Sequence, residues 1–322
     1  MVDLFSLIKD TRAYKTVAAD KAAGRLSHAY LFISSDGVNS GEYLKIFAKL
    51  IMSDFADERA DGLIDNGYHP DVLTFPKNGE AVLKEDVAKI IEESFLKPVE
   101  SDNKLFLINN GESMNATSQN KLLKTLEEPP RGVHILIHAT TEYPLLSTFK
   151  SRVKKLVIPP FPADKLISAL KSECADIERL KNAVYCGDGT VGGALALYGD
   201  ENLSETIDAA ADTFCNMKTS REVLESSDRV MRLSDGVKGF LSVMELICRD
   251  FIVYVNGGDT IKNRALLMRV KDAEGFTAGA LIYIADRIAD AKRRLSANGN
   301  PQAVLERFLF AFLEGKHKWR KL

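Results

Sequence analysis

The sequence predicts an α/β domain built on a five-stranded parallel sheet, then a small helical unit, then an all-α C-terminal domain. Three observations carry this reading. Residues 1–160 alternate short apolar runs with helix-like segments, the pattern of a parallel sheet covered on both faces. The strand-like runs stop after "PPFP" at 159–162. Beyond about residue 203 the apolar residues recur at helical spacing only. The 322 residues allow two to three domains of ordinary size. Boundaries are expected near 160 and 203: 1–160, 161–203 and 204–322.

The elements follow in order. "RAYKTVAADKAAG" reads as a helix. "AYLFIS" (29–34) is a continuous apolar run bounded by turn residues, hence a buried strand. A helix is expected from about Tyr43 to Met52. "DFADERADGLIDNGYHP" reads as polar and irregular. "DVLTF" (71–75) is a second strand. "KEDVAKIIEESFL" is a helix with Val87, Ile90, Ile91 and Phe95 on its apolar side. "KLFLIN" (104–109) is a third strand. "TSQNKLLKTLEE" is a helix with Leu122, Leu123 and Leu126 inward, stopped by Pro129-Pro130. "VHILIHA" (133–139) and "KKLVIP" (154–159) complete the five strands. A small helical unit surrounds "CGDGTVGGALALYG". In the last domain Phe240, Leu241, Met244, Ile247 and Phe251 share a stripe. So do Leu281, Ile284, Ile288 and Leu295, and, after the turn "NGNP", Val304, Leu305, Phe308 and Phe312.

Composition narrows the function classes. The chain is 45% hydrophobic and 27% charged, with a formal net charge of −2. It can bury a core, and as a whole it carries no basic field for nucleic acid. The tail "KHKWRKL" is basic and reads as a solvated terminus. No apolar run approaches the ~20 residues that span a bilayer, and the first residues do not read as a signal peptide. Cys174, Cys186, Cys215 and Cys248 form no CxxC pair, so they read as reduced core residues of a cytoplasmic protein.

The strand-to-helix loop "SSDGVNSGEY" (34–43) stands where a phosphate-binding loop stands in a nucleotide-binding α/β protein. A working loop is G-x-x-x-x-G-K-[ST]. Its backbone N–H groups ring the phosphates, its lysine neutralises them and its hydroxyl binds Mg²⁺. Here Ser34 replaces the first glycine, Asn39 the second, Ser40 the lysine and Gly41 the hydroxyl residue, while Gly37 remains. The end of the third strand should carry an aspartate for the metal and a glutamate for the attacking water. Asn109 and Asn110 stand there instead. Two independent elements have lost their chemistry together, which argues against hydrolysis.

Other enzymatic readings are weak. Glu127 and Glu128, as neighbours on a helix, point about 100° apart and read as a solvated helix end. His134 and His138 share a strand face but lie roughly 13 Å apart, too far for one metal. "HPD" (69–71) occurs in a loop between helices in J-domain co-chaperones, whereas a strand follows it here. No nucleophile-elbow motif is present.

The run "NKLLKTLEEPP" (120–130) followed by "VHILIHATTEYPLLSTFKSRV" (133–153) resembles the clamp-loader branch of the AAA+ superfamily, within it the delta-prime family of bacterial DNA polymerase III. "LSHAYLFISSDGV", "HPDVLTF", "GDGTVGGALALYGD" and "LSANGNPQAVLERFLF" agree with that family in order and spacing. The resemblance implies an AAA+ domain over 1–160, a helical lid over 161–203 and a collar over 204–322. It implies a five-subunit ring with ATPase (gamma/tau) and delta subunits, reaching the sliding clamp and primed DNA through the assembly. It also assigns Arg152, with Ser151, the place of the S-R-C arginine that completes a neighbour's ATP site. A guanidinium suits that task because it stays charged and bonds phosphate oxygens bidentately.

The chain departs from the family in four places. Val153 replaces the cysteine, the interval from "ATTE" to Ser151-Arg152 is one residue shorter, residues 53–68 lack the four-cysteine zinc module, and Gly192-Gly193 stand near the position of the lid arginine. The expectation is therefore a non-catalytic subunit holding no ATP, Mg²⁺ or zinc tightly. The rivals are a clamp-loader ATPase with residual ATP binding and an AAA+-shaped scaffold of another complex.

Overall fold

A computed structural model describes residues 2–77, 81–233, 236–274 and 276–318. The chain forms two compact units, Met1–Glu173 with Thr190–Gly192, and Cys174–Gly189 with Gly193–Leu322.

The first unit opens with α1 (Leu4–Ile8) and α2 (Arg12–Ala22), then β1 (Ala29–Ile33), α3 (Ser40–Met52), α4 (Glu58–Asp65), β2 (Val72–Phe75) and α5 (Lys84–Ser94). It continues through β3 (Lys104–Ile108), a 3-10 turn over Gly111–Ser113, α6 (Ala116–Glu127), β4 (Val133–Ala139), α7 (Ser147–Lys150), β5 (Lys154–Val157) and α8 (Ala163–Leu170). All five strands lie within a residue or two of their expected positions. They form one parallel sheet in the order β2-β3-β4-β1-β5. The central β4 is buried along its whole length, while the edge strand β5 keeps Lys155 and Val157 exposed.

Alternation of side chains sends Ala29, Leu31, Phe106, Ile108, Ile135 and Ile137 to one face, against Val87 and Ile90 of α5 and Leu122 and Leu126 of α6. On the other face Phe32 stacks on Phe47 of α3 with ring centroids 4.0 Å apart. Helix starts are written in the capping residues. Thr11 accepts from the Tyr14 N–H and Asn115 from the Ser118 N–H.

Two expectations fail here. The segment taken as irregular contains α4, whose Asp57 cap accepts from the Arg59 and Ala60 N–H groups. Its only buried residue is Ile64, so it carries almost no apolar periodicity to be read. Phe95 does not join the buried side of α5. That helix ends at Ser94, and Phe95 is 69% exposed.

"HPD" has a structural role. The buried Asp71 carboxylate accepts the N–H groups of Val99 (2.6 Å), Glu100 (2.8 Å) and Ser101 (3.0 Å), tying the α5–β3 loop to the start of β2.

The second unit contains α9 (Ile177–Cys186), most of α10 (Val191–Gly199), α11 (Leu203–Asn216), α12 (Ser220–Met231), α13 (Gly236–Val255), α14 (Arg264–Val270), α15 (Ala278–Ser296) and α16 (Pro301–Lys318). The expected stripes on α13, α15 and α16 are buried together, apart from the partly buried Leu295. Phe214 and Phe312 meet edge to face at 5.1 Å.

The tail is not solvated at its start. Lys316 is buried and donates to the Phe214 and Met217 carbonyls at the end of α11, with Phe276 beneath its ammonium. Trp319–Leu322, the rest of the basic tail, lies outside the described residues.

The four cysteines are free, and three are buried. Burial pushes the Cys186 thiol up to about 12, which makes it an inert packing group. No described helix is long and apolar enough to cross a membrane.

Candidate functional site

Two places in the first unit hold the sequence-expected site residues, and they lie at opposite ends of the sheet. The loop 34–41 follows the C-terminal end of β1, and Asn109 and Asn110 follow the C-terminal end of β3. Arg152 precedes β5, whose first residue pairs with Tyr30 near the start of β1. The His28 Nε2, just before β1, bonds the Arg152 carbonyl at 3.0 Å. The five residues of β1 put roughly 16 Å between the two places.

At the loop, β1 and β4 stay paired one residue beyond the strand, through Ser34 N–H to the Ala139 carbonyl at 3.1 Å. The chain then turns and enters α3, so Ser34 and Ser40 are buried. Asn39 is the N-cap of α3 but makes no capping bond of its own.

The carboxylate of this loop is Asp36, a residue the sequence reading passed over. It is 3% exposed and accepts from five donors. Oδ1 takes the Asn39 N–H (3.2 Å), and both oxygens take the Asn39 side-chain amide. Oδ2 also takes the Tyr43 hydroxyl (2.7 Å) and the N–H groups of Val191 and Gly192, each at 3.1 Å. Residues 190–192 belong to the same compact unit as the loop. One carboxylate therefore joins the Asn39 N–H, just before α3, to the N–H groups of Val191 and Gly192 within the first unit. A Cβ on Gly192 would lie 2.7 Å from Asp36 Oδ1 and 3.0 Å from Val38 Cβ, so residue 192 has room for hydrogen only.

Beside the loop, Gly41 packs against the Asn109 side-chain amide, a Cβ there meeting Nδ2 at 3.6 Å. Asn110 takes the left-handed conformation (φ 52°), which asparagine tolerates. It leads into Gly111, where a Cβ would come within 2.5 Å of Ile137 Cγ2. Glu112, also missed from sequence, accepts the Thr140 N–H at 2.9 Å and the Thr140 hydroxyl. Asn109 Oδ1, Glu112 Oε2 and both ring nitrogens of the buried His138 have no protein partner. Burial lowers the His138 pKa, against the opposing pull of Glu112 and Asp36.

ATP–Mg²⁺ does not fit this donor set. The Asp36 carboxylate already accepts the Asn39 N–H before α3, a serine stands where a lysine would neutralise phosphate, and neutral amides stand where a metal needs carboxylates. Among the described residues no group of His, Cys, Asp and Glu is arranged to hold a metal ion.

At the other end, Arg152 follows the single turn α7. Its Nη2 lies 2.5 Å from Glu127 Oε1, and its Nη1 donates to the Thr148 carbonyl (2.8 Å) and the Ser151 hydroxyl (3.3 Å). The guanidinium is one-third exposed. Glu127 is the exposed helix end read from sequence and, in addition, the partner of Arg152. Val153 points inward and packs in the sheet core.

Known proteins resemble the chain as follows. The sequence pattern of the family described as "DNA polymerase III, delta subunit" matches residues 9–162. DNA polymerase III subunit delta' of Bacillus subtilis is 23% identical over 305 residues, covering 90% of this chain and 92% of that one. Subunit delta' of Escherichia coli is 24% identical over 212 residues, 63% of this chain and 62% of that one. Subunit tau/gamma of Haemophilus influenzae is 30% identical over 135 residues, 40% of this chain and 20% of that one.

Proposed function

We propose that this chain, which is similar to the delta-prime subunits of DNA polymerase III, is a clamp-loader subunit that works in its loader without an ATPase cycle of its own. Its role is to sit beside gamma/tau-type ATPase and delta subunits in a five-membered ring. There it supports ATP-dependent loading of the sliding clamp on primed DNA. Arg152, with Ser151, supplies the guanidinium that completes the ATP site of the adjacent ATPase subunit.

The observation that carries the reading is the pairing of a closed loop with an accessible arginine at the far end of the sheet. Asp36 takes the anion seat from inside. Arg152 is separated from that loop by the length of β1, so any phosphate it meets belongs to another chain. A guanidinium supplied in trans is worth orders of magnitude in phosphoryl transfer. The division at about 160 and 203 into AAA+ domain, lid and collar belongs to the same proposal.

Two measurements test it. Calorimetric titration of the chain with ATP and Mg²⁺ should give neither micromolar binding nor turnover; both together would make it a working ATPase. Mixing the chain with its cognate ATPase and delta subunits should give one stoichiometric complex on gel filtration. Separate elution would remove the clamp-loader role.

A further inference from the structure

We propose that Asp36 is a built-in phosphate surrogate: its carboxylate occupies the anion seat formed by the N–H groups of Asn39, Val191 and Gly192 and closes the loop to external anions. This rests on the reading of the loop as closed to nucleotide, and not on the ring.

The chemistry of the seat is that of a phosphate site. A strand leads into a tight loop and then into a helix of 13 residues whose first N–H groups lack intrahelical partners. Such a site holds an anion by backbone N–H donors and the helix dipole. Here the donors are the Asn39, Val191 and Gly192 N–H groups, with the Asn39 amide and the Tyr43 hydroxyl added. All five converge on one carboxylate that is 3% exposed. Nothing else on the loop is anionic up to Glu42, so the seat's negative charge comes from Asp36 alone.

Gly192 is the matching half of the device. Any side chain there would strike Asp36 Oδ1 and Val38, so an arginine reaching across the loop and the inward carboxylate exclude each other. The loss of the lysine at 40 and of a side chain at 192 then have one cause. With a fixed internal anion in place, neither a cation for phosphate nor an arm over it has a partner.

The test is anion rescue. The isolated full chain and Asp36→Ala are melted in inorganic phosphate and in chloride at matched ionic strength. The natural chain should melt at the same temperature in both salts. Asp36→Ala should melt lower by roughly 5 °C or more, since five donors lose their acceptor. Millimolar phosphate, but not chloride, should restore roughly half of that loss by binding the emptied seat.

Gly192→Ala supplies a second reading should Asp36→Ala fail to fold. Glycine to alanine inside a helix ordinarily raises stability, but here it should lower the melting temperature by pushing on the carboxylate. An Asp36→Ala chain that melts with the natural one, a rescue no better in phosphate than in chloride, or a Gly192→Ala chain that melts higher would each overturn the proposal. A chain that shows phosphate rescue yet joins no ring would leave this inference standing and remove the proposed function instead.

Discussion

Glu127 at the end of α6 and Arg152 after α7 form an ion pair of 2.5 Å, bridging 25 residues of sequence at the N-terminal end of the sheet. Both side chains are partly exposed, so the pair contributes at most about 1 kcal/mol to folding. Its value is positional. In the proposed role the Thr148 carbonyl and the Ser151 hydroxyl would keep hold of the guanidinium while phosphate oxygens took the place of the Glu127 carboxylate.

Arg152→Ala should therefore leave the fold nearly untouched, with a urea-melt difference below about 1 kcal/mol. In a reconstituted loader it should lower clamp- and DNA-stimulated ATPase at least about tenfold without dissociating the complex. Arg152→Lys keeps the charge but loses the planar fork, and should recover only part of the rate. Unchanged ATPase in Arg152→Ala would retire the arginine from the mechanism.

The sheet was legible in the sequence, whereas the role given to Arg152 comes from resemblance. Each strand is a short apolar run bounded by turn residues, so burial alone locates it. Arg152 stands out by family resemblance and by nothing in its own neighbourhood. The bonds of Asp36 to Val191 and of Glu127 to Arg152 were not legible, because those partners lie 155 and 25 residues away. Local spacing made one a loop residue and the other a helix end. Phe95 shows the converse error: periodicity extends a helix on paper, while in the structure the helix stops at Ser94.

Asp71 should be among the costlier single sites in the first unit. Removing its carboxylate leaves the Val99, Glu100 and Ser101 N–H groups without their acceptor. Hydrogen bonds to a charged acceptor contribute ~1.5–3 kcal/mol each and are not additive. Asp71→Ala should lose about 3 kcal/mol or more in a chemical melt. Amide exchange at 99–101 should quicken ahead of the sheet. A variant within about 0.5 kcal/mol of the natural chain would show that the loop is held by other contacts.

Lys316 should matter to the second unit far more than a tail lysine would. Its ammonium satisfies the Phe214 and Met217 carbonyls where α11 ends. Lys316→Met keeps the stem but strands those acceptors, and should cost about 2 kcal/mol. The loss should appear as faster exchange in α11 and α16, with the first unit's exchange unchanged. Equal protection in both proteins would place the ammonium outside the fold's needs.

Two buried histidines, His134 and His138, contribute to the acid side of the stability profile. His138 is held below the ordinary histidine range chiefly by burial, which Glu112 and Asp36 only partly offset. His134 is lowered too, again mainly by burial, with its bond to the Ser27 carbonyl opposing. Below the ordinary histidine pKa the unfolded chain binds protons that the folded chain refuses, so stability rises with pH there. The two histidines' contribution is fully present at neutral pH. It is lost as pH falls below about 6.5, and the loss levels off once the folded pKa values are passed. The slope cannot exceed about 1.4 kcal/mol per pH unit for each histidine. His138 has no protein hydrogen bond to lose and pairs with Phe32 across β1 and β4, so His138→Phe removes the titrating group without stranding a partner. It should flatten the decline between pH 7 and 5 while leaving stability at pH 7.5 within about 1.5 kcal/mol. Chemical melts across that range check this. An unchanged slope in His138→Phe would assign the acid sensitivity to His134 and the carboxylates.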